Sequence, residues 1–146
     1  MVWRWKQFRD LSLDELYDVI RLRERVFVVE QNCVYLDCDG LDQSAWHLSG
    51  YQDGKLAAYL RVLPAGLKYN EISFGRVVTA PEVRKSGCGK ELTLQALMHI
   101  SRTFGKAPIR ISAQAYLERF YAGFGFQRQS AEYFEDGIPH IEMLLA

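Results

Sequence analysis

The chain of 146 residues is 49% hydrophobic and 25% charged. That suits one domain, residues 1–146, with a substantial core and a hydrated surface. Its 18 basic and 18 acidic side chains cancel, which argues against nucleic-acid or anionic-membrane partners, since either would need a local basic patch.

No apolar run approaches the ~20 residues of a membrane span. Met1-Val2-Trp3-Arg4-Trp5-Lys6 alternates apolar and polar residues, unlike the unbroken apolar stretch of a signal peptide. Three cysteines, Cys33, Cys38 and Cys88, are too few and odd in number for a disulfide framework. They point to a reducing, cytoplasmic setting.

Trp3–Phe8 is expected to form the first strand. Ser12 supplies a helix N-cap and Glu15, three residues on, closes a capping box, with Leu11 and Leu16 as a hydrophobic staple. Leu16, Val19, Ile20 and Arg23 share a face, so this helix runs to about Arg25. Val26–Val29 either prolong it or open into an extended piece. Residues 30–44 are polar and read as a loop. Residues 45–51 and 56–63 are strand-like and flank an Asp53-Gly54 turn, which makes them a hairpin. A strand follows at Ile72–Thr79, stopped by Pro81. Leu92, Leu94, Leu97, Met98 and Ser101 have helical spacing within 87–104. Ile109–Ala113 reads as a buried strand and Tyr116–Phe124 as a short helix. Phe126–Phe134 and Ile141–Leu145 read as strands joined through Glu135-Asp136-Gly137-Ile138-Pro139.

This order predicts an α/β fold: a mixed, mostly antiparallel sheet with helices on both faces. The strand at 72–79, the helix from 87 and the strand at 109–113 form a crossover unit, which makes the two strands parallel neighbours or near neighbours.

The chemistry is concentrated in Arg84-Lys85-Ser86-Gly87-Cys88-Gly89-Lys90. This segment follows a strand and opens a helix. Backbone N–H groups at a helix start lack intrahelical partners, and the helix dipole favours anions there. Glycines admit a ligand close to the backbone, so the segment is suited to cradling phosphate. It is neither a Walker A loop nor a Gly-x-Gly-x-x-Gly dinucleotide fingerprint.

The spacing of Arg84, Gly87 and Gly89 resembles the pyrophosphate loop of the GNAT superfamily of N-acetyltransferases. Gln114 through Phe126 resembles that superfamily's C-terminal signature, with Phe120, Tyr121, Gly125 and Phe126 in register and Gln114 where asparagine is common. Further segments resemble the ElaA branch: Leu22-Arg23, Val26 through Cys33, Tyr35, Asp37, Asp39, Gly40, Asp42, Gly75 through Val78, Ala113 through Ala115, and Glu135 through His140.

The resemblance implies the acyl-CoA N-acyltransferase fold and direct transfer of acetyl from acetyl-CoA to an amine of a small molecule or peptide, without a covalent intermediate. It implies that the backbone of Val77, Val78 and Thr79 holds the acetyl carbonyl and the pantetheine arm. The N–H groups of Arg84, Lys85, Ser86, Gly87, Cys88, Gly89 and Lys90 would hold the pyrophosphate, beside Gln114. Tyr121 would protonate the leaving thiolate. For the base, Glu71, Glu30, His140 or a water chain stay open. A homodimer is also open. Two other readings stand beside this one: a non-catalytic CoA-binding or interaction module, and an acyltransferase using a different acyl-CoA donor.

Asp37, Asp39 and Asp42 either attract a cationic amine or form a solvated loop with Asx turns. Cys33, Cys38 and His47 are too few and too irregularly spaced for a zinc site, so no metal is expected. Cys88, at a helix start, would have a lowered thiol pKa. Arg23 and Arg76 would bind a substrate carboxylate or order the acidic loop. Trp3, Trp5 and Trp46 read as core or interface aromatics.

Overall fold

A computed structural model describes residues 1–146. Strand β1 (Val2–Gln7) leads into helix α1 (Leu13–Arg23). The capping box forms as the sequence predicts: Ser12 Oγ accepts the Glu15 N–H at 3.0 Å, and Glu15 Oε1 accepts the Ser12 N–H at 3.0 Å. The helix does not stop at Arg25. Glu24–Glu30 continue it as a wider π-type coil, so Val26–Val29 prolong the helix. Such coils recur at functional sites.

Strands β2 (Trp46–Gln52) and β3 (Lys55–Leu63) form the expected hairpin. Asp53 and Gly54 both have positive φ, +52° and +75°, as a tight primed turn requires. Then come β4 (Ser73–Thr79), α2 (Cys88–Phe104), β5 (Ile109–Gln114), the short α3 (Glu118–Ala122), β6 (Gln127–Arg128), β7 (Tyr133–Glu135) and β8 (Ile138–Leu145).

The C-terminal strands differ from the sequence reading. The segment expected as one strand from Phe126 to Phe134 is broken into β6 and β7, both paired with β8. Between them the Ser130 hydroxyl takes the Glu142 N–H at 2.9 Å. A side chain thus replaces a backbone ladder bond, and the chain leaves the sheet. β8 starts at Ile138 rather than Ile141, because Asp136-Gly137 is itself the hairpin turn, with φ of +52° and +77°.

The sheet is mixed but divided. β1-β2-β3-β4 is one antiparallel set and β5-β8-β6 another, with β7 also on β8. One parallel bridge joins them, Ile72 to Ile109, where the Arg110 N–H donates to the Ile72 carbonyl at 2.9 Å. Beyond this point β4 and β5 splay apart.

β3 is buried along Ala57–Leu63, so it is covered on both faces. On one face Leu48, Leu60, Val62 and Phe74 pack with Leu92, Ala96 and Ile100 of α2. On the other, Tyr59 and Val78 pack with Val19, Leu22 and Val26 of the first helix. The tryptophans join the packing: Trp5 stacks on Trp46 at 5.0 Å and on His99 at 5.2 Å between ring centroids. No helix is long and apolar enough to cross a membrane.

Candidate active site

The site begins with a bulge. Tyr59 pairs with Val78 and Arg61 with Gly75, so Leu60 alone faces both Arg76 and Val77. Two residues opposing one bend the strand and end its regular pairing. Arg76 has φ +51°, a left-handed conformation that costs a non-glycine residue about 1–3 kcal/mol unless its surroundings hold it.

What holds it is a buried ionic network. Arg23, 1% exposed, donates to Asp37 Oδ2 and Asp42 Oδ1, each at 2.8 Å. Arg61 donates to both oxygens of Asp39, each at 2.8 Å, and to Asp42 at 3.0 Å. Arg76 Nη2 donates to the Asp37 carbonyl at 3.0 Å, and Tyr35 donates to Asp37 Oδ1 at 2.9 Å. Arg76 Nε lies 2.9 Å from Asp37 Oδ1 but makes no aligned hydrogen bond, so that approach is coulombic.

The Asx turn allowed by the sequence forms, with Asp39 Oδ1 accepting the Leu41 N–H at 3.0 Å, but the aspartates are not left to solvent or to a cationic substrate. They are consumed by arginines that pin residues 37–42 against the sheet. Burial opposes ionisation of Asp42, but Arg23 and Arg61 outweigh it and hold its carboxyl below the usual range. His47 is not a metal ligand. Its ring nitrogens meet the Tyr59 hydroxyl at 2.7 Å and the Asp42 carbonyl at 2.9 Å, and burial pushes its pKa down.

Replacing Arg23 with alanine should strand two buried carboxylates. A loss of about 3–5 kcal/mol of unfolding free energy is expected by chemical denaturation, and a loss below 1 kcal/mol would contradict this account.

Between splayed β4 and β5 lies a cleft of about 470 Å³. It is lined by Gly75–Thr79 of β4, Ile111–Gln114 of β5, the end of the π-type coil, the β7–β8 hairpin and Tyr121. The predicted residues Val77, Val78, Thr79, Gln114 and Tyr121 thus share one cavity with Arg84 at its rim.

Next to it residues 84–87 turn into α2. Lys85 and Gly87 take φ of +65° and +81°, and Ser86 Oγ donates to the Val83 carbonyl. The Glu91 N–H donates to the Gly87 carbonyl at 3.1 Å. The N–H groups of Cys88, Gly89 and Lys90 precede that bond, so they have no acceptor inside the helix. A side chain built at Gly89 meets nothing within 4 Å, so the approach to these groups is open.

The Cys88 side chain points into the core at 7% exposure. Burial pushes its thiol pKa up, contrary to the lowering expected at a helix start, because desolvation outweighs the dipole.

Tyr121 is 4% exposed and packs on Phe74, Phe120 and Phe126. Burial pushes its phenol pKa up, so it stays protonated and able to donate at neutral pH. It is both a core aromatic and a cleft wall.

The three candidate bases separate. Glu71 is outside the cleft, held by Arg110 at 3.1 and 3.2 Å. That hydrogen bond lowers its pKa. It precedes the splay, where β4 still meets β5, so it does not line the cleft. Glu30 lines the cleft but is gripped by both Nη atoms of Arg84 at 3.0 and 2.8 Å, and its pKa is likewise lowered. His140 lines the cleft, opposite Gln114 in register. Sequence reasoning missed Arg61, which clamps the acidic loop, and Glu135, which lines the cleft 3.3 Å from His140. An arginine within a strand and an acid before Asp-Gly carry no local signal of either placement.

These features agree with the comparisons. The family model of the acetyltransferase (GNAT) domain matches residues 21–146. ElaA of Escherichia coli is 37% identical over 143 residues, 97% of this chain and 94% of ElaA. Its crystal structure superposes with a TM-score of 0.93 and 36% identity, covering all of both chains. The crystal structure of an acyl-CoA N-acyltransferase from Pseudomonas aeruginosa superposes with a TM-score of 0.96 and 41% identity over 99% of each chain. A UPF0039 protein of Synechocystis is 42% identical over 97% of this chain and 93% of its own. The chain belongs to the GNAT acetyltransferase family, and it is an acyltransferase that uses acyl-CoA.

Proposed function

We propose that the protein transfers an acetyl group from acetyl-CoA directly to an amine of a small molecule or a peptide. The observation that carries this is the splay of β4 from β5 beside the start of α2. It exposes the backbone of Val77–Thr79 to the same cleft as Tyr121, with unpartnered N–H groups next to it. The acetyl donor is supported by the family match. The balanced charge and sparse cysteines support a cytoplasmic setting.

In this reading the N–H groups of Arg84–Lys90 hold the pyrophosphate, and Gln114 and the β4 backbone hold the pantetheine arm and the thioester in line for attack. An amine lone pair attacks the carbonyl carbon, the C–S bond breaks, and its electron pair leaves on sulfur. Tyr121 donates a proton to that thiolate and recovers one from the nitrogen that has become an amide. An ammonium and a thioester thus yield an amide, a thiol and one proton, which a base must first remove.

Calorimetric titration with acetyl-CoA and, separately, with unphosphorylated pantetheine tests the coenzyme site. Micromolar affinity for acetyl-CoA, about −8 kcal/mol, should be lost with the phosphates. Equal affinities, or no binding, would remove the proposal.

A further inference from the structure

The β7–β8 hairpin brings a histidine and a carboxylate together in the wall of the cleft. His140 Nδ1 lies 2.7 Å from the Ile138 carbonyl. A carbonyl only accepts, so Nδ1 carries a proton. In the neutral ring Nε2 is then left with its lone pair. Nε2 lies 3.3 Å from Glu135 Oε2 without an aligned hydrogen bond to it, so that approach is coulombic and the lone pair stays free.

A carboxylate at this distance stands where a positive charge on the ring would arrive. Glu135 is itself held: its Oε1 accepts from Ser112 Oγ at 3.4 Å, and Ser112 meets the Tyr133 hydroxyl at 2.5 Å. The Tyr133 ring stacks on the imidazole at 6.3 Å between centroids, 27° from parallel. Ser112, Glu135 and His140 all line the cleft.

Neither His47 nor His99 competes. His47 meets the Tyr59 hydroxyl and the Asp42 carbonyl in the core, and His99 stacks on Trp5.

Resting on the acyl-transfer reading above, we propose that His140 Nε2 takes the proton of the acceptor ammonium, with Glu135 as the positioning residue that receives the imidazolium. One N–H bond of the ammonium breaks and Nε2–H forms. The electron pair stays on the amine nitrogen, where attack requires it. The positive charge moves from substrate to ring and arrives beside a carboxylate. The acceptor this step serves is an amine that is an ammonium at neutral pH and must lose a proton before it can attack.

Long-range 15N–1H correlation spectra test the pairing without any acceptor, because three histidines give separable ring patterns. Neutral His140 should carry its proton on Nδ1. Glu135→Gln should shift the Nε2 resonance of His140 and leave those of His47 and His99 in place. The Glu135 side chain is 41% exposed, so this isosteric change spares the core. A neutral ring protonated on Nε2, or an Nε2 resonance indifferent to Glu135→Gln, would overturn the pairing.

The catalytic part is read by thiol release from acetyl-CoA with n-butylamine at high concentration. Glu135→Gln should lower kcat about 10-fold and His140→Gln about 100-fold, with the KM for acetyl-CoA unchanged. No turnover by the wild type, or equal turnover in the variants, overturns the role. Coenzyme calorimetry separates that failure from failure of the acyl-transfer reading, since His140 and Glu135 take no part in phosphate binding.

Discussion

Gly89→Glu is expected to weaken acetyl-CoA binding at least about 100-fold, close to 2.8 kcal/mol, while the protein becomes slightly more stable. The two effects have opposite signs for one physical reason. Gly89 lies in the first turn of α2, where the N–H groups are free and the helix end is positive. A glutamate there replaces a flexible residue with a helix former and complements the dipole, together worth about 0.5–2 kcal/mol of stability. The site accepts it without strain, since an added Cβ meets nothing within 4 Å. The same carboxylate would occupy the space and the charge complementarity that a pyrophosphate needs. Calorimetry and thermal melting read both halves. Undiminished affinity would refute the phosphate loop. A lowered melting temperature would show that the lost binding came from misfolding.

Tyr121→Phe is expected to reduce kcat about 100-fold and to leave the dissociation constant of acetyl-CoA within about threefold. The ring is packed among Phe74, Phe120 and Phe126, and phenylalanine preserves that packing. What is lost is a proton donor that burial keeps protonated at the cleft wall. Unchanged turnover would indicate that solvent protonates the thiolate. A collapse of coenzyme affinity would mean that the hydroxyl binds rather than donates.

How much of this was legible beforehand follows from which interactions are local. The capping box of α1, the Asp53-Gly54 turn and the glycines opening α2 each depend on residues within a few positions, and each formed where the sequence places it. The register of Phe120, Tyr121, Gly125 and Phe126 was likewise readable. The break between β6 and β7 was not. It depends on the Ser130 hydroxyl meeting Glu142, twelve positions away. Nor was the fate of Cys88. A helix start predicts an activated thiol, but the helix rolls that side chain inward, and desolvation decides.

The candidate bases followed the same rule. Glu30, Glu71 and His140 are equally plausible as residue types, and only their partners distinguish them. Arg84 and Arg110 occupy the two glutamates from 54 and 39 positions away, whereas the hairpin turn delivers Glu135 to His140 inside the cleft.

By itself the sequence determined the element order as far as α3, the glycine-bearing loop that opens α2 and the family, because spacing, capping and glycine placement are short-range properties of the chain. The tertiary structure alone decided that the sheet parts after one bridge, that three arginines neutralise the acidic loop, and which candidate faces the cleft. Those outcomes rest on charges and hydrogen-bond partners brought together from distant positions, and a pairing of that kind leaves no periodic trace in the chain.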